Sequence, residues 1–534
     1  MVEQKLTNNS TSTTQNIIHQ HQHHFHHHHH IHHHHHNHNE NNSNNGNNQN
    51  SFNLLNQNQN QNNIQKYIND LSLDESESLN NINYDSKKPN YNQFRKKIKG
   101  KCYMKGDQDY ETLCNDRWDQ DPINQPTIIV RAISANDVKE TINFVREYCL
   151  KIAIKTSGHN IVSAIDGGVS LDLSLMKSVV VNERDQTVKV ECGCTFHDID
   201  EITSQYGLAM PLGQISSIGV GGFSTGGGLG HLTKPYGLSC DNLVEAEIVT
   251  ADGLKYRCNS NKNRDLFWAI RGAAGFVGVV TSFTFKCYPV SDIVIGTFTY
   301  DISANNTLAR DALVQVGTRH LQYPTKDQLV YIININPGAT SDSVLIKAVY
   351  LDGANNPTLG TQLIQDFQNA TNPTTASISV IPFTNLQFEF DGLIMPGKYY
   401  QEGPLIKTTI TQDVADLILS HMASRIKQTF SSIIITELGG QVNKLSTSDC
   451  AFPVRNSTFN IFYTSVLTSD ATVNQSIKQW TQNSIKDLSP YTAGHYINTT
   501  YLTDMRIVFG SNFTKLRKIK NEHDPDNIFR SLYK

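Results

Sequence analysis

Residues Gly213–Gly230 read GQISSIGVGGFSTGGGLG, and eight of these eighteen positions are glycine. Glycine lets backbone N–H groups approach a bound group closely. A succession of such amides makes a concave nest for an anion such as a pyrophosphate. A flexible surface loop is the competing reading of any glycine-rich run. Here Ile215, Ile218, Val220, Phe223 and Leu229 are interleaved with the glycines, and a solvated linker has no use for them. The run therefore reads as a packed, ligand-cradling loop. Its last five residues, Gly226–Gly230, invite a nicotinamide-dinucleotide reading, which requires a strand before, a helix after and an acid about 20 residues on. The next twelve residues are HLTKPYGLSCDN, where Pro235 and Gly237 interrupt a helix. The context excludes that reading.

Upstream, Thr127–Arg131 (TIIVR) is a β-branched run and reads as a strand. Ser134 then precedes Asp137 and opens a helix whose Val138, Ile142, Val145 and Cys149 recur at three or four. A strand at Ile152–Ile154 leads straight into a second loop, Lys155-Thr156-Ser157-Gly158-His159-Asn160. Val169–Leu173, Ser178–Val181, Thr187–Cys192, Leu243–Thr250 and Phe276–Tyr288 read as further strands, and Phe196–Gln205 as a helix. The segments VNERDQT (181–187) and TADG (250–253) are hairpin turns that a purely parallel sheet would not contain. The fold class is α+β. From about Pro289 to Pro490 the pattern is mixed and motif-poor, as in an α/β substrate domain set beside a cofactor domain. The closing LRKIKNEHDPDNIFRSLYK reads as a helix ending before Asp524-Pro525, then a short tail.

The chain has 534 residues and a net charge of −4, so no basic surplus points to nucleic acid and no acidic surplus to a cationic partner. Fifteen of the 22 histidines lie in the first 65 residues, among Asn, Gln and Ser. Such a tract cannot bury enough apolar surface to offset the entropy of ordering, so residues 1–65 are expected to be a disordered arm. Repeat expansion with incidental metal affinity is preferred there over a metal-binding module. Residues 66–109 read as a polar linker with one short helix. No apolar run reaches the length of a membrane span. The nine cysteines have no metal-ligand rhythm; Cys192 and Cys194 are two apart but lack partners. No metal site is assigned, free thiols suit a reducing compartment, and the expected location is cytoplasmic.

The glycine-rich run with its continuation to TADG, then DLFWAIRGAAGFVGVVTSFTF (265–285), GGQVNKLSTSDCAFPVRNSTFNIFY (439–463), HYIN (495–498) and FGSNFTKLRKIKNEHDPDNIFR (509–530) form a colinear set. It resembles the berberine-bridge-enzyme branch of the vanillyl-alcohol-oxidase-type flavoproteins. The resemblance implies a PCMH-type FAD-binding domain over 110–290, a substrate domain over 291–490, and a C-terminal segment over 491–534 that returns to the FAD domain. Ser157-Gly158-His159 matches the family loop whose histidine bonds the flavin. A neutral imidazole is a good nucleophile, and an ordinary pKa of about 6.5 leaves it neutral at cytoplasmic pH. The other cofactor-binding positions implied are Thr156, Asn160, Gly213, Ile218, Gly221, Gly222, Thr225, Gly226, Gly227, Gly228, Gly230, Val280 and Asn498.

Departures from the family pattern carry their own implications. Ile215 stands where many members have a second flavin-linking cysteine, so FAD is expected to be attached once, through His159. Leu229 replaces the family's tyrosine, and Val454 its histidine. Tyr496 matches the tyrosine of the family's Tyr-x-Asn and is the expected catalytic base, although a phenol of pKa about 10 must be lowered for that task. Gln441 and Asn443 match polar positions facing substrate. The position of Ile218 gates oxygen in this family, a smaller valine accompanying fast oxidases. The implied reaction is hydride transfer from a CH–OH or CH–NH carbon of a small molecule, with O2 or another electron acceptor downstream. Oxidative ring closure is the alternative chemistry. A metal- or RNA-associated assembly protein with a vestigial flavin domain is the rival from another class.

Overall fold

Short β-branched runs become strands, and the amphipathic repeats become the helices that cover them. The structure, a computed structural model of the chain, describes residues 88–120, 124–302, 306–322, 329–338, 341–530 and 532. The chain divides into Met1–Asp85 and Ser86–Lys534, and every described residue belongs to the second unit. The expected disordered arm lies outside the described residues, as does the first half of the expected linker.

Two sheets form the first half. β1 (Lys101–Tyr103), β2 (Ile128–Arg131), β3 (Ile152–Lys155) and β4 (Val169–Asp172) make a four-stranded sheet in the order β1-β2-β4-β3. Its last three members are parallel, and β1 is antiparallel to β2. β5 (Val179–Asn182), β6 (Thr187–Glu191), β8 (Leu243–Val249), β9 (Lys255–Asn259) and β10 (Val279–Lys286) make an antiparallel sheet ordered β5-β6-β10-β8-β9. The VNERDQT and TADG turns join β5 to β6 and β8 to β9. Two short strands, β7 (Leu208–Ala209) and β11 (Tyr288–Pro289), pair with each other.

The helix Ala135–Glu147 starts where expected, with Ser134 Oγ accepting from the Asp137 N–H at 3.3 Å. Its face of Val138, Ile142, Phe144 and Val145 is buried between the sheets. The linker reading fails from residue 91 onward. A helix at Tyr91–Arg95 and the strand β1 already belong to the fold. Phe94, Ile98 and Cys102, four apart in a lysine-rich stretch, are enough to dock it, with Phe94 stacked on Phe144 at 4.1 Å. The Asp137 carboxylate also accepts from Lys99 and Gly100 N–H groups.

The second half is one nine-stranded sheet among the described residues. β12 (Asp292–Asp301), β13 (Leu329–Asn336), β14 (Ser343–Tyr350), β15 (Thr375–Pro382), β16 (Tyr399–Glu402), β17 (Pro404–Ile406), β18 (Ser431–Glu437), β19 (Phe459–Val466) and β20 (Thr492–His495) run in the order β15-β12-β14-β13-β18-β19-β17-β20, with β16 also on β19. Every pair is antiparallel. The helices Thr307–Gln322, Pro357–Thr371, Gln412–Ala423 and Ala471–Asp487 each join two strands that run parallel with one antiparallel strand between them, so each is a split βαβ crossover. They bury one sheet face, with Phe298, Tyr331, Ile333 and Ile346 at its centre. The other face, with Ile293, Ile295, Val330, Ile332 and Val349, packs against Ala209 and Leu232 of the first half.

The final segment begins inside this sheet as β20 and leaves it at Tyr496. Its helix Phe513–His523 buries Leu516 and Ile519 in the first-half core, and Lys520 Nζ donates to the Phe276 carbonyl at 3.2 Å. The return to the first half is driven by those apolar residues. No helix among the described residues is long and apolar enough to cross a membrane.

Candidate active site

β3 delivers the chain to the His159 loop from a fixed exit. Buried Lys155 sits between Asp172 at 3.1 Å and Asp116 at 3.0 Å. Gly158 then turns with φ +75°, where a side chain would press on the Arg117 Cα at 3.0 Å. The His159 Nε2 lies 3.1 Å from Ser217 Oγ, on the glycine-rich loop. Its ring stacks on Trp118 at 4.5 Å, and Trp118 stacks in turn on Tyr399 at 4.6 Å. Burial pulls the imidazole down to about 3, against a smaller opposing effect of the Ser217 contact. His159 is thus neutral at physiological pH, the form that can act as a nucleophile.

The two loops interlock. Ser157 Oγ accepts from the Gly219 N–H at 2.7 Å, and a side chain at Gly219 would fall 2.5 Å from Thr156 Oγ1. A side chain at Gly230 would fall 1.7 Å from the Leu212 carbonyl. Close packing of chain on chain demands these glycines, as it does Gly213, Gly221 and Gly226, whereas Gly222 faces open space. Thr225 Oγ1 donates back to the Gly221 carbonyl at 2.8 Å, Ile218 borders the core, and Val280 lies within it on β10. Among the described residues, no acceptor meets the backbone N–H groups of Ser157, Gly158, His159 and Asn160. Four such donors beside a neutral imidazole suit an anionic cofactor with an electrophilic carbon. The residues present fit FAD.

The C-terminal segment locks both loops together. Asn498 Nδ2 donates to Tyr496 Oη at 2.8 Å and to the Phe223 carbonyl at 3.0 Å, while its own backbone carbonyl accepts from Asn160 Nδ2 at 3.1 Å. The Gly228 N–H also donates to Tyr496 Oη, at 3.0 Å. Gly227 and Gly228 hold φ +131° and +91° as the chain passes Phe452, Tyr496 and Ser239. His159, Asn160, Gly226–Gly228, Tyr496 and Asn498 therefore belong to one connected site. Tyr496 is 4% exposed and packs among Leu405, Phe452 and Val454. Burial pushes its phenol well above the ordinary range, only partly offset by the Asn498 and Gly228 donors.

Gln441 and Asn443 occupy the turn after β18. The Gln441 N–H donates to the Lys234 carbonyl at 2.9 Å, and Asn443 Nδ2 to the Ser457 carbonyl at 3.0 Å. No hydrogen bond joins either to Tyr496 among the described residues.

Sequence reasoning missed the wall formed by the large sheet. Strand register sets Thr297, Lys347, Ile332, Thr436 and Asn460 in one cross-strand row. Gln214 of the glycine-rich loop donates to Thr436 Oγ1 at 3.3 Å. Lys347 is buried, ion-paired with Glu389, and brought down to about 8 by burial. His231 is 3% exposed, and neither ring nitrogen has a hydrogen-bond partner among the described residues. Burial, with a smaller contribution from Lys347, lowers it to about 3. The sequence signal was a lone cation in the apolar run VLIKAVY.

Comparison with known proteins places this geometry. A family model described as an FAD binding domain matches residues 126–259, and one described as berberine and berberine like matches 496–532. An FAD-linked oxidoreductase of Dictyostelium discoideum is 35% identical over 443 residues, which cover 82% of this chain and 95% of that protein. The solved structure of 6-hydroxy-D-nicotine oxidase from Arthrobacter nicotinovorans matches with a TM-score of 0.71 at 21% identity, over 81% of this chain and 97% of that one. Chitooligosaccharide oxidase matches with a TM-score of 0.71 at 19% identity, over 83% and 98%. At such identities the two structures speak for the fold alone, the PCMH-type arrangement of a flavin-binding half and a substrate half. Together with the matched flavin and berberine-like segments, the Dictyostelium relative shows that the chain belongs to the berberine-bridge-enzyme-like family of FAD-linked oxidoreductases.

Proposed function

We propose that this oxidoreductase oxidises a CH–OH or CH–NH carbon of a small polar molecule, with FAD held covalently through His159 alone. The observation that carries the reading is the setting of His159: neutral, stacked on Trp118, held by Ser217 and beside four backbone donors that meet no acceptor among the described residues. Ile215, on the facing loop, offers no thiol for a second bond. FAD, when bound, supplies the two-electron acceptor for hydride leaving such a carbon.

The chain supplies the rest. Ser217 Oγ fixes the imidazole ring through Nε2, and the Trp118 stack restricts its rotation. The Ser157–Asn160 amides bind negative charge. Asn498 holds Tyr496 Oη toward Gly228, and Tyr496 is the proposed proton acceptor from the substrate oxygen or nitrogen. Its phenol keeps its own proton at neutral pH, so this step gains with rising pH. Gln441, Asn443 and the row of Lys347, Thr436 and Asn460 orient the polar groups of the substrate. O2 or another acceptor takes the electrons onward.

The 6-hydroxynicotine and chitooligosaccharide oxidases act, by their names, on an amine and on a sugar. Both classes belong in the test. Anaerobic mixing with sugars, simple alcohols and cyclic amines should bleach the flavin absorbance for at least one class. A flavin that dithionite reduces but no alcohol, sugar or amine bleaches overturns the reading.

A further inference from the structure

Eight of the nine cysteines are buried, and two of these face each other across a join between distant segments. Cys240 lies in the turn after the glycine-rich run, where its N–H donates to the Gly227 carbonyl at 2.8 Å and the neighbouring Ser239 N–H to the Gly228 carbonyl at 3.1 Å. Cys450 lies in the segment TSDCAF, pinned by Asn512 Nδ2 on the Cys450 carbonyl at 3.0 Å and by the Ala451 N–H on the Trp268 carbonyl at 3.1 Å. The two Sγ atoms and an Asp241 carboxylate oxygen all lie within 4.8 Å of one another. The pair shares an apolar cluster with Phe452, Leu438 and Tyr496.

Two sulfurs and a carboxylate suggest a metal site, but the arrangement argues against one. Arg455 spans both Asp241 oxygens at 2.8 Å each, and its Nη2 also lies 2.9 Å from Cys450 Sγ. A divalent cation placed among these ligands would face a fixed guanidinium. That same guanidinium favours a thiolate on Cys450. The neighbouring Cys240 thiol and the Arg455 guanidinium outweigh burial and hold Cys450 down at about 7, while burial pushes Cys240 up. One sulfur is prepared as nucleophile, the other as the thiol that resolves it.

We infer that Cys240 and Cys450 form a dithiol that hydroperoxide converts to a disulfide, a redox latch between the support of the glycine-rich loop and the segment carrying Phe452. The Cys450 thiolate attacks one oxygen of hydrogen peroxide, the O–O bond breaks, and the departing hydroxide takes a proton to become water. Cys450 is then a sulfenic acid. Cys240 sulfur displaces its hydroxyl, the S–S bond forms, and the Cys240 proton leaves with that hydroxyl as a second water. Two thiols lose two electrons in all, and one peroxide becomes two waters. Closing to the bonding distance of about 2.05 Å requires the approach of two sulfurs that lie within 4.8 Å of each other. The latch ties down Gly227 and Gly228, which border the Tyr496 phenol.

The full chain, reduced and freed of reductant, is treated with hydrogen peroxide, alkylated in denaturant, digested without reduction and mapped by mass spectrometry. A linked Cys240–Cys450 peptide is expected, removed by dithiothreitol, with a higher melting temperature for the oxidised protein. In Cys240→Ser, dimedone should trap a sulfenic acid on Cys450 and no linked peptide should form. Oxidation confined to exposed Cys149, or links joining other cysteines, overturns the inference. The wild-type map decides the matter even where a variant fails to fold.

Discussion

The loops Lys155–Asn160 and Gly213–Gly230 build the proposed site from backbone amides and glycines, whereas the large sheet is proposed to face it with the side chains of Lys347, Thr436 and Asn460. A backbone-built surface is fixed by local sequence, because a side chain at Gly219 or Gly230 would collide with the neighbouring chain. A side-chain wall is fixed by strand register, which brings together residues more than a hundred positions apart. The first kind of surface suits a cofactor common to many relatives. The second can change one residue at a time, and that is where specificity resides in this account.

The largest expected effect lies where the two surfaces join, at Tyr496. Removing a general base costs about 10²–10⁴ in rate. Tyr496→Phe should therefore slow anaerobic flavin reduction by a factor in that range while keeping its flavin. Since burial raises the phenol, wild-type reduction should accelerate as pH rises into the alkaline range, and the Phe variant should lose that slope. Reduction within about twofold of wild type at every pH would remove Tyr496 from the mechanism.

How far each surface was legible obeys the same division. The glycine-rich run, the Ser157-Gly158-His159 tip and the Tyr496–Asn498 pair were all visible as short local strings. Strand runs and hairpin turns gave the α+β class, since alternation and turn residues act over a few positions. The docking of residues 91–103 was hidden because three apolar side chains in a basic stretch look like linker until a partner such as Phe144 is known. The Thr297-to-Asn460 row and the Trp118 sandwich were hidden for a similar reason, both depending on contacts between distant segments. Local sequence also hid how deeply Tyr496 is buried.

Where the end of the glycine-rich loop packs toward the sheet, His231 provides a stability test. Its folded pKa of about 3 lies below the unfolded value of about 6.5, so folding excludes a proton that the unfolded chain accepts. Stability is full above pH 6.5 and falls as pH drops toward 3. Between pH 7 and pH 5 the loss from this residue should be about 2 kcal/mol. Denaturant melts of wild type and His231→Leu at the two pH values measure it, and equal pH sensitivity in both proteins would contradict the assigned burial.

Thr436→Val should raise KM about tenfold, the loss of one hydrogen bond of about 1.4 kcal/mol. Flavin content should stay unchanged, in contrast to substitutions in the loops. A loss of flavin with no change in KM would reverse the division between the two surfaces. The smallest effect is expected at Ile218, where a shorter side chain opens the approach to the flavin. Stopped-flow reoxidation in air should be severalfold faster for Ile218→Val, and equal rates would deny this residue a gating role.

The proposed covalent attachment through His159 is tested directly by acid precipitation followed by peptide mass mapping. Wild type should give a yellow pellet and one flavin-bearing peptide, with the modification on His159. His159→Ala should give a colourless pellet and free FAD in the supernatant. A yellow pellet from the variant, or a flavin joined to any cysteine, would contradict it.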